Sequence, residues 1–165
     1  MGNVFTADGS SWAHRLELSN GATDVFFDVL TLAGCAIADT PWERHLVLFF
    51  TDAHRWSRGT AGFDLGELPW TTGWLVEKAF LDRLIGMALH RHGWDRLAYD
   101  PPNAIAYLST FREMIAGYTP TPVSAPAWGD WRVSPDPALT ARCQIHGVFV
   151  GEFGCRLCDP NLQPR

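Results

Sequence analysis

Four side chains near the carboxyl end carry the chemistry most easily read from this sequence. Cys143-Gln144-Ile145-His146 and Cys155-Arg156-Leu157-Cys158 are two paired motifs, separated by eight residues. A two-residue gap lets a tight turn aim both side chains of a pair at one metal ion. Two such knuckles complete a tetrahedron with ligand distances of about 2.3 Å for sulfur and 2.0–2.1 Å for nitrogen. Gly147 and Gly154 flank the pairs, where the backbone must turn sharply, and Val148–Phe153 suits a small hairpin shielding the ion. With all four positions filled by protein, no place is left for a water or substrate, so the expected Zn²⁺, one per chain, is structural.

The stretch Cys143–Cys158 resembles the zinc-ribbon class, whose knuckles carry Cys-x-x-Cys or Cys-x-x-His pairs. The resemblance covers only 16 of the 165 residues, and the inter-knuckle gap is shorter than in most ribbons, which implies a compact variant. Free thiols are one alternative to zinc, and a disulfide from Cys143 to Cys155 or Cys158 is another. The first ten residues lack a basic, apolar leader, and without an oxidising compartment disulfides are disfavoured. Cys35 stands apart and reads as a free buried thiol.

The other polar concentration is Asp52-Ala53-His54-Arg55-Trp56-Ser57-Arg58, followed by Asp64 and Glu67. An enzyme would use Asp52 or His54 for proton transfer and Arg55 or Arg58 to hold an anion. A plainer reading puts His54, Arg55 and Arg58 at a helix end, where cations complement the backbone dipole; His90-Arg91-His92 has the same explanation. His45 and Asp52, with Asp28, define a weaker candidate for a second metal. No zinc-protease helix, nucleophile elbow, phosphate loop or dinucleotide fingerprint is present.

Composition narrows the classes further. The net charge is −5, and twelve arginines accompany the single Lys78, a bias of the kind GC-rich bacterial coding produces. From residue 132 onward four arginines face three carboxylates, and the thiolate-rich metal centre offsets the surplus. Nucleic-acid binding, which needs several cations in one patch, is therefore disfavoured. No apolar run approaches the roughly 18 residues that suggest a membrane span. The expectation is a cytoplasmic protein.

Those side chains need a frame. Residues 12–18 alternate loosely and read as a strand ending at the Asn20-Gly21 turn signal. Between residues 24 and 39 the polar positions Asp24, Asp28, Thr31, Cys35 and Asp39 fall at helical spacing on an otherwise apolar segment. The helix should lie mostly buried, capped by Thr23 or Asp24; a buried strand through Val25-Phe26-Phe27 competes. Thr40-Pro41-Trp42-Glu43 is a capping box with proline at the first helical position. Further helices are expected over 72–92, with an apolar face including Trp74, Leu75 and Ala79, and after Asp100-Pro101-Pro102. A short strand is expected over 94–99. Five prolines between 119 and 137 describe an extended connector, whose Trp128 and Trp131 should pin it to the helices.

The expected fold is therefore mainly α, or α+β with a short N-terminal strand or hairpin. A helical body (1–118), a proline-rich connector (119–137) and a zinc knuckle (138–165) make up the chain. The functional expectation is a non-catalytic, zinc-stabilised interaction module of accessory, inhibitor or immunity type, acting on a protein partner. Asp64, Glu67 and Trp70 are the expected contact surface, since acids steer and aromatics anchor. A small enzyme using Asp52, His54, Arg55 and Arg58 is the alternative, and a nucleic-acid-binding ribbon the weaker one.

Overall fold

A computed structural model describes residues 3–7, 15–56 and 61–162. Trp12 and His14 of the expected strand, and Arg58 of the polar segment, lie outside the described residues. Among the described residues, four α-helices and one antiparallel hairpin make a mainly helical fold.

Strands β1 (Asn3–Thr6) and β2 (Arg15–Leu18) pair with Asn3 opposite Leu18 and Thr6 opposite Arg15. Alternation puts Phe5, Leu16 and Leu18 inside. Asn20-Gly21 is not a turn after β2. Ser19 caps the helix α1 (Asn20–Ile37), its hydroxyl accepting from the Ala22 amide, so the pair forms the first helical turn. The strand alternative through Val25–Phe27 is overturned with it, because those residues lie inside α1. Asp24, Asp28, Thr31 and Cys35 of the polar row are all buried, and Asp39 lies beyond the helix.

Helix α2 (Pro41–Asp52) begins as its cap chemistry dictates. The Thr40 hydroxyl accepts from the Glu43 amide at 3.2 Å, and the Glu43 carboxylate accepts from the Thr40 amide at 3.4 Å. Gly34 allows the helices to close on one another. A Cβ there would stand 2.6 Å from Val47 and 2.9 Å from a Leu84 methyl.

Helix α3 (Trp74–Leu89) buries Phe80, Leu81, Leu84, Ile85 and Ala88. Leu75 and Ala79, expected on its apolar face, are exposed, because the stripe facing α1 starts one turn later. The strand expected over 94–99 is a 3-10 turn, Trp94–Arg96, entered through Gly93 at φ +75°. A short strand there has no neighbouring strand to pair with among the described residues. Helix α4 (Ala104–Ala116) buries Ala104, Leu108, Phe111 and Ile115, as its spacing requires.

The connector lies along this body. Trp131 is buried, 5.5 Å from Trp42 and stacked on His45, and Trp128 lies 4.6 Å from Phe49. Trp131, Val148, Phe149 and Leu157 belong to the same buried apolar cluster as the helices. Among the described residues, no helix is long and apolar enough to cross a membrane.

Candidate metal centre

Local backbone geometry builds the two knuckles. Cys143 donates its amide to Val148, Gly147 donates to Cys143, and Arg142 bridges to Phe149, closing a tight turn around His146. Residues Arg156–Cys158 form a 3-10 turn in which the Cys158 amide returns to Cys155. Gly147 and Gly154 take φ +71° and +83°, the left-handed turns expected of them.

The result is a convergent donor set. The ligand atoms of Cys143, His146, Cys155 and Cys158 all lie within 4.8 Å of one another. His146 Nδ1 is 3.8, 3.6 and 3.3 Å from the sulfurs of Cys143, Cys155 and Cys158, and the Cys143 and Cys158 sulfurs are 3.7 Å apart. A tetrahedral zinc ion demands about 3.8 Å between sulfurs and about 3.6 Å between sulfur and nitrogen, given its bond lengths. The donors fit a metal ion. They do not form a disulfide, and all four cysteines of the chain are free.

Electrostatics point the same way. Burial opposes ionisation of Cys143, yet hydrogen bonds to its sulfur from the His146 amide and ring and from the Ile145 amide lower its pKa to about 6. Burial and the adjacent Cys143 push Cys155 up to about 12, and burial raises Cys158 as well. Three sulfurs this close cannot all carry charge without a cation among them.

What lies between the last two ligands is not legible as a metal feature. Arg156 is fully buried and runs from the knuckle into the helical body. Its Nε donates to Asp28 Oδ1 at 2.6 Å, and its Nη1 donates to the carbonyls of Phe50, Thr51 and Ala53 at 2.9, 2.9 and 3.1 Å. Those carbonyls end α2, so the guanidinium closes the negative pole of that helix while pairing with a carboxylate of α1. Tyr99 donates its hydroxyl to the other Asp28 oxygen at 2.6 Å. His54 Nδ1 bonds Asp24, and both side chains are buried.

The polar row of α1 is thus the seat of the carboxyl-terminal segment. Asp28 holds Arg156, Cys35 Sγ accepts from the Phe149 amide at 3.3 Å, and the Cys35 carbonyl accepts from Arg142 at 2.8 Å. Arg96 donates to the His146 carbonyl at 3.2 Å.

The other expected site residues are scattered. Asp52 accepts from the Glu152 amide at 3.1 Å and faces a surface groove. His54 is not an exposed helix end: at φ +66° its ring turns inward against Asp24. Arg55 donates to the carbonyls of Gly154 and Phe153 and to Asp159, and is committed to holding the knuckle. The polar segment therefore does not present Asp52, His54 and Arg55 in one cavity. Trp70 cannot anchor a partner from its place in the fold. It is 1% exposed, and its indole donates to the Leu65 carbonyl at 2.7 Å. Asp64 accepts from Thr6 and from the Gly66 amide, and Glu67 is exposed. The second-metal idea finds no support in position: His45 Nε2 bonds the Val133 carbonyl and Asp28 is occupied by Arg156 and Tyr99.

Comparison with known protein families, characterised proteins and solved structures finds no match.

Proposed function

We propose that this protein is a zinc-stapled helical interaction module, in which one Zn²⁺ on Cys143, His146, Cys155 and Cys158 is structural. The observation carrying this reading is Arg156. It sits between two ligands, and the ion that fixes Cys155 and Cys158 also fixes the angle at which the guanidinium enters the body. A metal placed to hold a buried side chain, with four protein ligands around it, has no vacancy for chemistry.

The module acts by docking on another protein, in the manner of an accessory, inhibitor or immunity protein. Support comes from the seam where the knuckle meets α2. Trp56 is 72% exposed and Phe153 43% exposed, and their rings meet edge to face at 4.8 Å. Large aromatics left in water are the side chains that anchor interfaces, and the net charge of −5 suits a basic partner. This seam replaces the surface around Trp70.

The test is metal content joined to stability. Elemental analysis should give one zinc per chain under reducing conditions. A strong chelator should lower the melting temperature of the α-helical circular-dichroism signal, because Arg156 loses its fixed approach. Metal-free protein with an unchanged melting curve would overturn the reading.

A further inference from the structure

A surface groove of about 450 Å³ runs beside the seam, with space for a small organic molecule. Three separate segments line it. Helix α2 supplies His45, Phe49 and Asp52, the connector supplies Trp128 and Trp131, and the knuckle supplies Glu152. Phe49 lies 4.6 Å from Trp128 and 6.2 Å from Trp131, so the aromatic surface is continuous, and Trp56 adds a further exposed indole.

The charged side chains that line this groove are both acidic, and the field of Arg55 also reaches Asp52. Asp52 and Glu152 both line it, and no Lys or Arg is among its described lining residues. His45 is engaged with the Val133 carbonyl at 2.7 Å. The Asp52 oxygens accept from the Glu152 amide at 3.1 and 3.3 Å, and two carboxylate oxygens have capacity for more. Burial makes the Asp52 charge unfavourable where it stands. The approach of Asp52 to the knuckle is also built in. Gly151 takes φ +59°, and a Cβ there would fall 2.3 Å from Asp52 Oδ1.

The geometry points to a binding site for a small organic cation, a protonated or quaternary alkylammonium. The positive nitrogen would lie beside Asp52 and Glu152, and its alkyl groups against Phe49, Trp128 and Trp131. Aromatic faces attract such ions through their quadrupole, and the carboxylates supply the counter-charge to the ligand's nitrogen. An uncharged molecule of the same shape would gain only the apolar contact. The site rests on the proposed zinc staple to the extent that the knuckle must be seated to deliver Glu152.

The probe pair is choline and 3,3-dimethylbutan-1-ol, its uncharged carbon isostere, titrated into the zinc-loaded full chain. Indole resonances of Trp128 and Trp56 report occupancy. Choline should saturate, and the isostere should bind at least about ten-fold more weakly, the ratio that about 1.4 kcal/mol of charge recognition gives. Asp52→Asn keeps an acceptor for the Glu152 amide and should reduce that ratio to about three-fold, the share left to Glu152 and the rings. Glu152→Gln alters an exposed side chain, leaves the fold intact, and should lower choline affinity at least about three-fold. Equal binding of the two probes, or no saturable shift with either, would overturn the site. Such a failure in protein holding one zinc per chain leaves the structural-metal reading standing, whereas protein without zinc fails that reading before any probe is added.

Discussion

Arg156 and Asp28 meet across 2.6 Å with neither side chain reaching solvent, 128 positions apart in the chain. Removing one partner strands the other charge in the interior, which costs about 3–5 kcal/mol in comparable pairs. Arg156→Ala and Asp28→Asn should each lose that much in urea denaturation. Arg156→Lys should lose a large part of it, since an ammonium cannot reach Asp28 and three carbonyls from one planar fork. A cost below about 1 kcal/mol for Arg156→Ala would place the pair among surface-like ion pairs and remove its role as the joint between knuckle and helices.

Cys35 supplies a chemical reporter of that joint. Burial pushes its thiol up to about 11, against the hydrogen bond from the Phe149 amide. Alkylation needs the thiolate, so Cys35 should resist iodoacetamide at neutral pH in the native protein. Cys143 and Cys158 should become reactive as soon as a chelator removes metal. The sign for stability follows from the raised value. An unfolded Cys35 ionises earlier than a folded one, so stability should fall as pH rises from the ordinary thiol range through about 11. Cys35→Ala should flatten that alkaline limb. Mass spectrometry that finds Cys35 labelled as fast as Cys158 would contradict the buried seat.

Gly151→Ala should be costly for two separable reasons. A left-handed φ of +59° disfavours any L side chain, by about 1–2 kcal/mol. The new methyl must also displace the Asp52 carboxylate, which lies within 2.3 Å of its position. Thermal unfolding should show the loss, and choline binding should weaken beyond what the stability change explains. Unaltered stability would mean that the Asp52–Glu152 contact tolerates rearrangement.

Much of the frame is readable from local rules because local rules decide it. The bonds that open α2 run between near neighbours, Asp39, Thr40 and Glu43, with Pro41 at the first helical position, so a four-residue signature is sufficient to start it. The paired spacing of the cysteines works for the same reason. The Ser19 cap is hidden in the sequence by the stronger turn signal of Asn20-Gly21 that follows it directly. The row of Asp24, Asp28, Thr31 and Cys35 has the right period, but Asp24, Asp28 and Cys35 find their partners in His54, Tyr99, Phe149 and Arg156, outside the helix. Nothing within α1 says whether water or Arg156 will satisfy those groups. Arg156 reads in the sequence only as a residue between two ligands, and Trp70 reads as an anchor, because side-chain type predicts burial poorly where polar groups pair at long range.

That long-range pairing bears on how the molecule is made. While a ribosome extends the chain, α1 emerges early with Asp28 and α2 with its terminal carbonyls, and the guanidinium both await is still more than a hundred codons away. Closing so long a loop delays the last step of assembly, and until then the interior of the nascent protein is unfinished. Maturation must wait for the knuckle, and on the proposed zinc staple it would wait for metal delivery too, so that zinc supply would govern yield during synthesis as well as stability afterwards.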